Sequence, residues 1–134
     1  MFRLDGALAA AGDGLARPSG QTSARWRVLA AVEQQPRTVA QIARAWSLAR
    51  QSVQRVADAL DQEGLVAYED NPDDRRAKLV RLTSRGAGVL AQIQAAQWTW
   101  AEEVGGRIGA EDLDSAVDIL TRLLAALSER PDST

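Results

Sequence analysis

Two apolar stripes of identical helical spacing lie almost back to back in the chain. Val39, Ile42, Ala43 and Trp46 fall at i, i+3, i+4 and i+7, and Val53, Val56, Ala57 and Leu60 repeat the pattern with only residues 47–52 between them. Each stripe requires a helix that buries one face. A connection that short forces the two helices to meet as a tightly turned pair on a shared core. The boundaries are marked as well. Thr38-Val39-Ala40-Gln41 fits a capping box, in which the Thr38 hydroxyl and the Gln41 side chain satisfy each other's backbone N–H. Ser47-Leu48 interrupts the periodicity, and Gly64 is a natural residue to close the second helix. On the side of that helix opposite its stripe gather Arg50, Gln51, Gln54, Arg55 and Asp58.

After Gly64 the period changes from helical to extended. Residues 65–68 and 79–82 read as two short strands, joined across 69–78 by a polar tip that contains Asn71-Pro72-Asp73-Asp74-Arg75-Arg76. Thr83 then caps a long helix expected over 84–104, with Val89, Ile93, Ala96, Trp100 and Val104 as its apolar seam and Gly105-Gly106 as its breaker. A last helix over 110–128 carries Leu113, Val117, Leu120, Leu124 and Leu127, and the tail 129–134 is expected to be disordered. Upstream, Phe2, Leu4, Leu8 and Leu15 suggest a short first helix closed by Pro18, Ser19 and Gly20. Trp26, Leu29, Ala30 and Val32/Glu33 mark a second over 22–35, ending before Pro36. The expected fold is mainly α with a small β-hairpin wing. A single domain spans 1–134, with a helix-turn-helix and hairpin lobe at about 22–88 and flanking helices at about 1–17 and 84–128.

Composition limits the chemistry. With no cysteine and no histidine among 134 residues, disulfides, thiol redox sensing, the usual zinc sites and imidazole acid–base catalysis are excluded, which argues against an enzyme and against a bound metal or other cofactor. The acidic residues Glu102, Glu103, Glu111, Asp112, Asp114 and Asp118 read as a solvated face, and neighbouring carboxylates such as Glu102 and Glu103 point in different directions on a helix. No run of 18 apolar residues occurs, so the expectation is a cytoplasmic protein without membrane contact. The net charge of −2 argues against a general polyanion coat. Its distribution is uneven: residues 1–36 carry 4 basic and 3 acidic groups, 37–85 carry 9 and 7, and 86–134 carry 3 and 8. Any nucleic-acid contact therefore belongs to the middle of the chain.

The order helix, helix, strand, polar tip, strand is that of a winged helix-turn-helix. In such a unit Arg and Gln on the second helix can read guanine and adenine in the major groove, and a wing Arg can enter the minor groove. Residues 38–88 resemble the MarR family of bacterial regulators. The resemblance runs from Gln41-Ile42-Ala43 through Val53-Gln54-Arg55-Val56 and Leu60-Asp61-Gln62-Glu63-Gly64-Leu65-Val66 to the wing Asp73-Asp74-Arg75-Arg76-Ala77-Lys78 and Leu82-Thr83-Ser84-Arg85-Gly86.

That resemblance implies a homodimeric transcriptional regulator, a repressor, binding double-stranded DNA at a palindromic operator, with the terminal helices forming the dimer. Arg50, Gln51, Ser52, Gln54 and Arg55 would occupy the major groove, and Arg76, oriented by a pairing with Asp74, the minor groove. Arg75, Lys78 and Thr38 would meet phosphates. It also implies release by a small aromatic or lipophilic effector, for which Trp26, Trp46, Trp98 and Trp100 are candidate pocket residues; the competing reading places these tryptophans in the core or an interface. Ala49 stands where the family has a capping serine, and Trp46 where it has a leucine. The alternative function is a winged-helix protein-interaction module that does not bind DNA.

Overall fold

The computed structural model describes residues 2–129. They form α1 (Phe2–Ala16), a 3-10 turn (Arg17–Ser19), α2 (Ser23–Ala31), β1 (Arg37–Thr38), α3 (Val39–Trp46), α4 (Arg50–Gln62), β2 (Val66–Glu69), β3 (Leu79–Leu82), α5 (Ser84–Ile108) and α6 (Ala110–Ser128). Two compact units divide between Ala96 and Gln97. The expectation of a disordered tail lies, beyond Glu129, outside the described residues.

The first unit is built around the paired stripes. Ile42 and Ala43 of α3 and Val53, Ala57 and Leu60 of α4 are buried together with Val28, Leu29 and Val32, Leu65 and Val66, Val80, and Leu90 of α5. The capping box at Thr38 forms as expected: its hydroxyl accepts the Gln41 N–H at 3.1 Å, and Gln41 Oε1 accepts the Thr38 N–H at 2.9 Å. The turn between α3 and α4 is made by Ser47, the one non-glycine residue with positive φ (53°) among those described. Gly64, at φ 75°, closes α4 in the left-handed conformation that glycine adopts without strain.

Three strands, not two, form the sheet, in the order β1-β3-β2, all antiparallel. The hairpin pairs Val66 with Leu82 and Glu69 with Leu79. The unexpected β1 contributes only Arg37 and Thr38 opposite Val80 and Leu79, too short to show any alternation in the sequence. Thr83 fixes the exit from the sheet. Its hydroxyl donates to Gly64 O at 2.7 Å and accepts the Gly86 N–H at 3.0 Å, capping α5 as expected. Gly86 is required there, since a Cβ would collide with the Leu65 carbonyl and the Leu82 side chain.

Several expectations need correction. α2 stops at Ala31, and Val32 N–H bonds back to Leu29 O in a tighter turn at 3.3 Å, so residues 32–35 lie outside the helix. In that region Val28 is buried and Glu33 is exposed. Trp46 ends α3 on the surface, 43% exposed, rather than completing its buried stripe. α5 passes through Gly105 and Gly106 and stops at Gly109 (φ 97°). Glycine weakens a helix by about 1 kcal/mol per residue but leaves its hydrogen-bond ladder intact. At Gly105 the missing side chain serves packing, because Leu113 Cδ1 lies 3.2 Å from where a Cβ would sit.

The second unit joins the end of α5 to α6, and beyond Leu113 the seam on α6 lies exposed. Val117, Leu120, Leu124 and Leu127 are exposed, as are Ile119 and Leu123. Among the described residues no helix is long and apolar enough to cross a membrane.

Candidate nucleic-acid interface

The amphipathic spacing of α4 decides which of its side chains can be used. Burial of Val53, Ala57 and Leu60 leaves Arg50, Gln51, Ser52, Gln54 and Arg55 exposed. The hairpin brings a second set of polar residues alongside. Thr38, Arg50, Gln51, Gln54, Tyr68, Arg76 and Lys78 line one open cleft of about 550 Å³ between the helix pair and the wing. A neighbouring depression is shared by Arg50, Asp74 and Arg76. Ser52 and Arg55 are exposed on α4 but do not line the cleft, and Arg75 lines a separate hollow with Asp70, Asn71 and Pro72.

The wing tip is held by its own short polar side chains. Asn71 Oδ1 accepts the Asp73 N–H, and Asp74 Oδ1 accepts the Arg76 N–H, each at 3.0 Å. Asp74 thus holds the backbone of Arg76 in an Asx-type turn and leaves the guanidinium exposed. Thr38 is buried, 7% exposed, and its hydroxyl oxygen is engaged in capping α3.

Sequence reasoning passed over one constellation. Tyr68 of β2 donates its hydroxyl to Asp58 Oδ1 at 2.6 Å, and Gln54 Nε2 donates to the same Asp58 Oδ1 at 2.9 Å and to Tyr68 Oη at 3.0 Å. Hydrogen bonds, first from Tyr68 and then from Gln54, hold the Asp58 carboxyl below the usual carboxylate range. Burial, followed by the bond to Asp58 and its charge, pushes the Tyr68 phenol far above its ordinary range. The i, i+4 spacing of Gln54 and Asp58 was a readable signal; Tyr68 joins them only through the turn at Gly64.

The four tryptophans occupy different settings. Trp26 packs partly buried against the core. Trp46 lines a shallow hollow with Ala30, Ala31, Glu33, Gln34, Arg37 and Ala45. Trp98 is 69% exposed and Trp100 half-buried.

Comparison with known proteins bears on this geometry. A family model described as MarR family matches residues 19–77. A MarR variant from E. coli, solved in complex with operator DNA, superposes with a TM-score of 0.80 at 25% identity over 92% of each chain. The chain belongs to the MarR family. An uncharacterized protein of Mycobacterium tuberculosis is 36% identical over 132 residues, 98% of this chain and 92% of that protein. CouR is similar in fold in two states. From Rhodococcus jostii RHA1 and bound to p-coumaroyl-CoA, it gives a TM-score of 0.81 at 21% identity, covering 99% of this chain and 92% of CouR. Described as a transcriptional repressor bound to a 23-mer DNA duplex, it gives 0.83 at 24% identity, covering 92% and 88%. The wing and helix pair of this chain are thus those of a MarR-family winged helix-turn-helix, and the cleft described above lies between them.

Proposed function

We propose that this protein is a sequence-specific transcriptional repressor that binds a palindromic operator as a homodimer. One observation carries the reading: Arg50, Gln51 and Gln54 of α4 and Arg76 and Lys78 of the wing, all exposed, open onto a single cleft. That is the arrangement a helix in a major groove and a wing on the same duplex require. In it Arg50, Gln51, Ser52, Gln54 and Arg55 meet base edges, Arg76 enters the minor groove, and Arg75, Lys78 and Thr38 approach phosphates, Thr38 at the N-terminus of α3. The likeness in fold to MarR in complex with operator DNA and to CouR bound to a DNA duplex supports DNA as the ligand. CouR bound to p-coumaroyl-CoA, similar in fold, supports a small aromatic or lipophilic effector as the agent of release.

The test is binding of the purified protein to DNA fragments from upstream of its own coding region, followed by fluorescence anisotropy across a salt series. Saturable binding that weakens steeply with salt is expected. Arg76→Ala and Arg55→Ala should each lower affinity by about 1–3 kcal/mol if the lost contact is to a base edge. Undiminished affinity in both variants, or no specific binding at moderate salt, would overturn the proposal, the latter in favour of a winged-helix protein-interaction module.

A further inference from the structure

Asp58 is an acid on the polar face of α4, and one of its two oxygens is unused. Tyr68 donates its hydroxyl to Oδ1 at 2.6 Å, and Gln54 Nε2 donates to the same Oδ1 at 2.9 Å. Oδ2 has no partner among the described residues, and the side chain is exposed. The carboxylate is thus tied through one oxygen to β2 and to the preceding turn of α4, and the other is left for a ligand. Those bonds also hold the carboxyl below its ordinary range, so at neutral pH it is charged and can only accept. Its place along the helix suits contact with a base. From Arg50 to Asp58 the axis of α4 advances about 12 Å at roughly 1.5 Å per residue, close to the major-groove width of about 12 Å. Gln54, midway, lines the cleft.

Resting on the operator-binding reading above, we infer that Asp58 is a specificity-determining residue that reads cytosine through Oδ2, with Tyr68 as the positioning residue that holds the carboxylate for it. A carboxylate beside a duplex is repelled by the phosphates and gains nothing from the acceptor edges of guanine and thymine. In the major groove adenine N6 and cytosine N4 are the amine donors. Adenine sets its N7 acceptor next to the amine, so a charge that gains from N6 loses to N7. The cytosine amine has no acceptor of its own base beside it. The same charge penalises every complex in which it finds no amine, so Asp58 favours the operator and disfavours other DNA.

The experiment is selection from a random-sequence duplex pool with wild-type protein and with Asp58→Ala, Asp58→Asn and Tyr68→Phe. Fluorescence anisotropy on the selected operator and on an unrelated duplex, and thermal unfolding of each variant, are recorded alongside. The wild-type motif should hold one dyad-related pair of positions at which cytosine is preferred by about tenfold, the worth of one charge-assisted hydrogen bond at a base edge. Asp58→Ala should erase that preference there alone. In Asp58→Asn the carbonyl stays with Tyr68 and Gln54 and an N–H takes the place of Oδ2, so the preference should turn to guanine or thymine. Tyr68→Phe keeps the ring and the charge but loosens the carboxylate, and should lower the cytosine preference severalfold without favouring another base. Asp58→Ala should also bind the operator more weakly than wild type and the unrelated duplex more tightly, whereas a merely structural role would weaken both. A motif unchanged by both Asp58 variants, or weaker binding of Asp58→Ala to both duplexes, overturns this inference while leaving the regulator intact. No enrichment by any form, wild type included, overturns both.

Discussion

Glu63 shows how a single carboxylate at the end of one helix can tie three segments together. It follows the last turn of α4, where Oε1 accepts from Arg25 Nη1 at 2.6 Å and Oε2 accepts from Gln21 Nε2 at 3.3 Å, so the start of α2 and the turn before it are fastened to α4. Burial works against its charge, but the bonds from Gln21 and Arg25 and the charges of Arg25 and Arg85 prevail, and its carboxyl lies below the ordinary value of 4.5. The sign of the consequence follows. A folded-state pKa below the unfolded one means that on acidification the unfolded chain takes up the proton first, so the stability Glu63 adds is complete above the unfolded value and drains away as pH falls through the folded one. In Glu63→Gln the charge is absent at every pH. Urea unfolding should therefore show the variant less stable than wild type at neutral pH and the gap smaller at an acidic pH below the ordinary carboxyl value of 4.5. An equal gap at both would mean that the carboxylate's charge is not what fastens these segments.

Among the elements, α3 and α4 were legible because their stripes, the capping box and Gly64 all speak for the same boundaries, and α6 and β3 fall where their periodicity put them. What was not legible depends on distant parts of the chain. β1 exists because Val80 and Leu79 offer it partners, and α2 ends early because residues 32–35 must turn toward that pairing. The two glycines read as a stop at 105–106 lie within α5, where Gly105 gives room to Leu113 instead. The site followed the same rule. Its α4 face could be read from spacing, but the union of Gln54 and Asp58 with Tyr68 needed the hairpin. One boundary is weak as written: α4 begins at Ala49 with an extended backbone (φ −71°, ψ 138°) and no side-chain cap, while α3 has a complete box. The backbone is already that of a capped helix, so Ala49→Ser should supply a hydroxyl to an orphan N–H without rearrangement. The gain should be about 1 kcal/mol, or roughly 3–5 °C in melting temperature, read by thermal denaturation. An unchanged melting temperature would show that the first turn of α4 is satisfied by other means.

At the scale of the whole molecule the outstanding fact is apolar surface that the single chain leaves bare. Val117 is 61% exposed and Leu124 67%, with Leu120 and Leu127 on the same stripe of α6, and Phe2, Leu4 and Leu8 stand exposed on α1. Monomers rarely leave an apolar stripe bare in water, and the amphipathic spacing on α6 makes its exposed residues a stripe rather than a scatter. In the proposed homodimer a second copy covers it, which also sets two recognition helices at a fixed separation for a palindrome. Placing a carboxylate on the stripe separates assembly from folding, because Val117 and Leu124 contribute little to the monomer's own core. In the double variant Val117→Asp, Leu124→Asp, sedimentation at micromolar concentration should show monomers where the wild type shows dimers, with unchanged helical circular dichroism. Operator affinity should fall by at least a hundredfold, since two half-sites bound by separate chains lose the effective concentration that linkage provides. A variant that remains dimeric would move the interface elsewhere on the surface, whereas a monomeric variant that still binds the full operator as tightly as wild type would remove the need for a dimer from the recognition of DNA.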